Sequence, residues 1–421
     1  LMSADTSKFL VSEAHLVLDS KRKEKSKRIA SRGDPIKLAN AALPLAMQIE
    51  DQSAWIAEAT GLVRCIDLKS GGTQRLYKYH KAPVTCLAFH QNPNSINDGA
   101  ILFSGSWDKV LSVSTFSIKT TPLSITPKAH SDFVKSLLII APFSILASSG
   151  SDKIVRFWDF SDPASTRPLK SVGSVSAHLR PVENMAFDPK ENTLYTADTM
   201  GVIMSWTLQK EVSQNGEITV RATLLHEFGH HRTRVNEMHL GNGMMWTASS
   251  DDTIQVLPID STQPGAKHLT VSLPAAARCL LPLPLTPLGS DEAPYILSSS
   301  GDTLYLYELS FPQTSGDNSA IPEAELIQTF DDVHWHEITA VKLWMKKEEV
   351  RRNVVLVPWI VTTSLDGTIR RWKLIDLISP PPPALKEQEN KTVAETPKKK
   401  EEEAFKMSEE EERELAELMD D

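Results

Sequence analysis

The sequence predicts an all-β fold built from seven copies of one unit, and three observations carry that prediction. A histidine followed four residues later by an apolar residue opens a strand at His80/Val84, His130/Val134, His178/Val182 and His231/Val235. A second strand then runs into a polar turn with an aspartate, at Asp108, Asp152 and Asp251, and a third strand follows. Within each copy apolar and β-branched residues alternate with period two, which marks strands and not helices. The unit recurs roughly every 50 residues, and a fixed period of that length denotes an array.

Five copies stand out in chain order. His80–Val84 leads to Leu102–Asp108, and His130–Val134 leads to Leu146–Asp152 and on to Trp158-Asp159. His178–Val182 leads to Leu194–Asp198 and Trp206, and His231–Val235 leads to Met245–Asp251. The last runs from His336-Glu-Ile-Thr-Ala340 through Trp359 to Asp366 and Trp372. Two weaker copies fit the same frame. Trp55–Ile66 has Thr60 at the turn, and Leu297–Tyr307 has Gly301 there. Ile66, Ser114, Leu257 and Tyr307 take the place of the tryptophan, and Met200 that of the turn aspartate. Only the third and seventh copies then hold a full set: His130, Asp152, Trp158 and His336, Asp366, Trp372.

These residues resemble the WD40-repeat family, with Phe157-Trp158-Asp159 and Ser364–Trp372 as the nearest matches. The resemblance covers about residues 34–376. It implies a seven-bladed WD40-type β-propeller of four-stranded antiparallel blades. It also implies that the His, Asp and Trp sets form a buried network that holds each blade turn, a structural role and not a catalytic one.

The last copy runs into prolines after its third strand. Its outer strand is therefore expected from the N-terminal side, near Asp34–Ala39, which removes an exposed sheet edge. The expected organisation is a basic extension over 1–33, a propeller over 34–378, and a proline-rich linker with an acidic tail over 379–421. Residues 1–40 carry nine basic and five acidic side chains, and 386–421 seven basic and fourteen acidic ones. No segment of helical period and length precedes the tail. There, Ser408 and Glu411 form a capping box, and Leu415, Leu418 and Met419 share one side, as in a docking helix.

Composition narrows the chemistry. Cys65, Cys86 and Cys279 form no C-x-x-C pair, which argues against a disulfide framework or a cysteine zinc site and favours a reducing compartment. No signal-peptide core precedes Lys21, and the apolar run Phe133–Leu146 is too short to span a bilayer, so a soluble protein without membrane partners is expected. The net charge of −9 points away from bulk nucleic-acid binding. Lys21–Arg28, with six basic residues in eight, is the exception; a solvated run, a nuclear-import signal and RNA contact are all open to it.

His226-Glu227-Phe228-Gly229-His230 matches H-E-x-x-H, whose zinc chemistry needs both imidazoles on one helical face. Here His230-His231 falls at the strand-connecting loop of a repeat, and Thr233 and Asn236 stand where the longer form of the motif needs Gly and His. No phosphate cradle, nucleophile elbow or dinucleotide fingerprint is present. No catalytic residue, metal or cofactor is expected.

Function is then expected from exposed loops. Trp107, Phe133, Leu179, Arg180, Arg232, Arg234 and Trp335 fall on the loop face, and Trp and Arg are enriched among interface hot spots. The expected role is a scaffold binding proteins or peptides through that face and the tail, in the nucleus, the cytoplasm or both. The alternative, a substrate receptor of a cullin-type ubiquitin ligase, goes in the family with Trp-Asp-x-Arg. Here Trp158-Asp159 is followed by Phe160-Ser161.

Overall fold

In the computed structural model, seven four-stranded antiparallel sheets form the ring of a β-propeller. The structure describes residues 13–30, 32–39, 42–91, 100–115, 122–162, 165–229, 231–259, 268–283, 295–310, 323–350 and 353–379. Blades 1 to 6 occupy 44–78, 84–126, 134–175, 182–229, 235–272 and 277–330 in chain order. Blade 7 takes three strands from 338–373 and its fourth from β1 (Asp34–Lys37), which pairs antiparallel with Thr368–Lys373.

Alternation in the sequence becomes packing between blades. Seven apolar clusters fill the seven inter-blade spaces; one joins Phe157 and Val172 of blade 3 to Met185 and Trp206 of blade 4. The space between blades 7 and 1 is filled in the same way by Ile36, Met47, Ile56 and Trp344. The N-terminal strand thus contributes its one buried side chain, Ile36, to closure of the ring. Burial of such side chains contributes roughly 1.5–3 kcal/mol each.

Each inner strand begins with a register shift, at Val84/Cys86, Val134/Ser136 and their five equivalents. A bulge of this kind sharpens the local twist and re-aims the side chains after it. The turn between the second and third strands places one residue at positive φ, for example Lys153 at 68° and Gly201 at 80°. At position 201 a Cβ would lie 2.3 Å from the His231 carbonyl oxygen, so only glycine fits.

One helix was not expected. α1 (Glu13–Ala30) precedes β1, although the sequence shows no helical apolar period there. It has no apolar stripe because charged side chains tether it. Lys25 Nζ lies 2.6 Å from Asp302 Oδ2, and Arg28 Nε lies 2.6 Å from Asp332 Oδ2. Ile29 is buried, and its carbonyl accepts a 2.8 Å hydrogen bond from Arg370 Nη1. Among the described residues no helix is long and apolar enough to cross a membrane.

Candidate interaction face

The turn aspartates and the histidines ahead of the inner strands meet on one face of the ring. In blade 3, His130 Nδ1 lies 2.9 Å from Asp152, His130 Nε2 lies 2.7 Å from Ser148 Oγ, and Trp158 Nε1 donates to the same oxygen at 2.8 Å. Blades 2, 5 and 7 repeat the pattern with His80–Asp108–Ser104, His231–Asp251–Thr247 and His334–Asp366–Thr362. Burial pushes the Asp152 carboxyl up, but hydrogen bonds and charge from His130, with the backbone N–H groups of Ser131 and Ile154, outweigh it and hold it at about 2. Asp108, Asp198, Asp251 and Asp366 are lowered by the same contest. His231 and His334 are lowered chiefly by burial.

Two sequence assignments need correction. The blade 7 histidine is His334, not His336. The inner strand starts at Ile338, opposite Ser364, so the residue four positions ahead is His334; His336 only offers its carbonyl to Ser364 Oγ. Trp372 stands edge-on to His334, with ring centroids 6.4 Å apart. Blade 4 also holds a full set. Met200 does occupy the turn position, yet Asp198, two residues earlier, reaches His178 Nδ1 at 3.2 Å, and Trp206 Nε1 donates to Thr196 Oγ1 at 2.9 Å.

Blades 1 and 6 have no such histidine. In blade 1 the carboxylate again sits two residues early: Glu58 is fully buried and takes Arg64 Nε at 2.5 Å. In blade 6 the turn is one residue shorter, since Ser299 pairs with Leu304 where Gly105 of blade 2 pairs with Leu111. Asp302 therefore points to Lys25 of α1. The sequence pattern had no slot for either arrangement.

The H-E-x-x-H segment begins in a strand. His226 and Glu227 lie in Ile218–Gly229, the outer strand of blade 4, while His230 falls outside the described residues. A strand at His226 and Glu227 does not provide the helical face on which the motif's zinc chemistry depends. Among the described residues no group of three or more His, Cys, Asp and Glu side chains could hold a metal ion.

The residues expected on the loop face fall in different surroundings. Trp107 and Phe133 stack across the boundary of blades 2 and 3, with centroids 5.0 Å apart and planes at 18°, and each is 38% exposed. On blade 4, Leu179 is 82% exposed, Arg180 is exposed, and Met200, which the sequence did not single out, is 52% exposed. Arg232 is exposed; Arg234 turns to the axial channel and ion-pairs with Glu183 at 3.4 Å. Trp335 lies under α1, its ring 5.4 Å from Lys25 Nζ. Leu415 and Leu418 lie outside the described residues. The channel, about 500 Å³, is lined by all seven inner strands and includes Trp107, Lys135, Arg234 and Arg278.

Comparison with known proteins agrees with this geometry. The family model for the WD domain, G-beta repeat, matches residues 71–113 and 121–159, each running from the outer strand of one blade, 1 or 2, through the first three strands of the next. The chain carries WD40 repeats in a seven-bladed propeller. An uncharacterized WD repeat-containing protein of Schizosaccharomyces pombe is 25% identical over 268 residues, 61% of this WD40 chain and 67% of that protein. The transcriptional corepressor LEUNIG_HOMOLOG of Arabidopsis thaliana is 29% identical over 26% of the chain and 13% of its own length. The pre-rRNA-processing protein crb3/ipi3 of S. pombe is 25% identical over 35% of the chain and 36% of its own length. A computationally designed protein shares the fold at TM-score 0.52 and 19% identity, covering 79% of this WD40 chain and 83% of that one. WD40 propellers are generally scaffolds that bind other proteins.

Proposed function

We propose that this WD40 propeller is a non-catalytic scaffold that holds partner proteins on the blade 2–4 side of its loop face, within a multiprotein assembly. One observation carries the reading: Trp107, Phe133, Leu179 and Met200 are large apolar side chains exposed on successive blades of one face. Apolar exposure gathered on one surface marks an interaction site, and tryptophan anchors are among the residues that carry most binding energy.

A nuclear or shuttling location is part of the proposal. Lys25 and Arg28 are engaged with Asp302 and Asp332, while Lys21, Arg22, Lys23 and Lys27 stay exposed on α1, where an import receptor can reach them. Partial similarity to a pre-rRNA-processing protein and to a transcriptional corepressor supports ribosome-assembly or chromatin settings. The acidic tail is proposed as a second recruiting segment.

Affinity purification with mass spectrometry tests this on wild type, a Trp107→Ala/Leu179→Asp variant, and a chain lacking 386–421. The face variant should lose a defined set of proteins at an unchanged melting temperature, and the truncation a different set. Retention of every partner by the face variant defeats the proposal.

A further inference from the structure

We propose that the segment this face takes from its partner is acidic as well as apolar. The inference rests on the interaction reading above and gives the partner its chemistry. The chain as a whole carries −9, yet the axial channel is lined by Lys135, Arg234, Arg278 and Lys342 against Glu183 and Glu237. Lys342 and Glu237 form a matched pair at 2.8 Å. At the mouth the balance fails. Lys135 Nζ and Arg234 Nη2 approach opposite oxygens of Glu183, each at 3.4 Å, so one carboxylate serves two cations.

Among the described residues the channel lining holds no carboxylate besides Glu183 and Glu237. Arg278 reaches Glu337 only at 3.9 Å, and Glu337 is 44% exposed. Burial, with repulsion from Arg278, lowers the pKa of Arg234 despite Glu183. Arg180 and Arg232 are exposed, and the Arg232 guanidinium reaches the Asp251 carbonyl oxygen at 3.5 Å. Asp132, beside Phe133, is turned to the Phe133 backbone N–H at 2.8 Å. The charge also borders the aromatic patch, since Lys135 Nζ lies 6.0 Å from the Trp107 ring. A ligand that satisfies both must bring carboxylates and a large apolar side chain together, as an amphipathic acidic peptide does. A nucleic acid fits less well, because Trp107 and Phe133 already stack on each other and do not offer two free faces for bases.

Fluorescence anisotropy on the full chain tests the assignment. The probe is a labelled peptide of roughly 12 residues that alternates Glu with Leu and Phe. Its Gln-for-Glu copy and a labelled oligouridylate are the comparisons. The Glu peptide should bind about tenfold tighter than the Gln copy and weaken as salt rises. An Arg180→Glu/Arg278→Glu variant should lose about tenfold in affinity at an unchanged melting temperature. Equal binding of the Glu and Gln peptides, preference for the oligouridylate, full affinity in the charge-reversed variant, or no peptide binding each overturns the inference. The two proposals fail separately. If Trp107→Ala/Leu179→Asp loses its captured proteins while the charge-reversed variant keeps them, the face is right and its acidic partner is wrong.

Discussion

Blade 3 and blade 6 share four strands in one order but hold their turns by opposite means. In blade 3 the turn aspartate looks inward. Asp152 accepts from His130 and from two backbone N–H groups, and Trp158 completes the chain through Ser148. In blade 6 no histidine is present, a residue is missing from the turn, and Tyr307 stands where Trp158 stands. The same position, as Asp302, accepts from Thr303 Oγ1 of its own blade at 3.2 Å and also holds α1 through Lys25. One repeated position thus does two jobs: it rigidifies a blade, or it fastens a segment arriving from elsewhere. The second use matters for closure, because α1 leads directly into β1, the strand that completes blade 7.

The largest effect should come from cutting the inward arrangement. Trp158→Ala removes a buried indole from the blade 2–blade 3 cluster and the N–H that donates to Ser148 Oγ. Truncations of this kind cost about 3–5 kcal/mol, measurable as a lower urea midpoint. Blade 1 supplies a matched control with no histidine network. Arg64→Ala leaves Glu58 buried without its cation, and breaking such a pair costs about 3–5 kcal/mol. Replacing both by apolar residues of similar size should recover most of the loss. If the single and double variants are equally unstable, the ion pair is not what holds blade 1.

The same contrast explains what was legible from sequence. The seven-fold array was readable because His-x-x-x-Val recurs at 80, 130, 178 and 231, with a turn aspartate in phase in the copies at 80, 130 and 231. The blade 7 error came from two histidines spaced by one residue. The distinguishing signal was the residue four positions on, since His334 leads to the fully buried Ile338 and His336 to the small Ala340. Asp198, though it ends the second strand of its copy, was left out of the His, Asp and Trp set because it lies two residues before the turn position held by Met200. Helix α1 left no periodic trace, because a polar helix held by ion pairs needs no apolar stripe. On the candidate face, Trp107, Phe133 and Leu179 could be placed by counting from the turn. The cation excess at the channel mouth could not, because Lys135, Glu183 and Arg234 converge from three blades.

A smaller effect should follow from Asp152→Asn. It weakens charge-assisted bonds from His130 and the Ser131 backbone, worth about 1.5–3 kcal/mol. Its pH dependence gives the sharper test. Because the folded-state pKa is depressed, from 3.8 to about 2, the stabilisation is fully present above the unfolded value and is lost as pH falls through about 2. Asp152→Asn should remove that acid-limb component. A separate component begins nearer neutrality. Burial lowers the pKa of His231 and His334, so the unfolded chain binds protons first as pH drops below about 6.5, and stability declines there. Urea midpoints that stay constant from pH 7 to 5 would contradict the buried, neutral state of these rings.

The smallest global effect belongs to the outward-facing aspartate. Asp302→Asn removes one ion pair whose partners are each about 30% exposed, and pairs of that kind contribute about 0–1 kcal/mol. Its local effect should be larger than its global one. Lys25 also covers the Trp335 ring and lies 3.9 Å from Asp332, so loss of Asp302 weakens the contact that orients α1. Amide exchange in Glu13–Ala30 should accelerate while exchange in the blade 3 strands stays unchanged, because segments held by few contacts open independently of the core. The mirror experiment is Lys25→Ala, which should produce the same exchange pattern. If Asp302→Asn lowers the urea midpoint as far as Asp152→Asn and leaves α1 protected, the carboxylate serves blade 6 and not the helix, and the distinction between the two blades disappears.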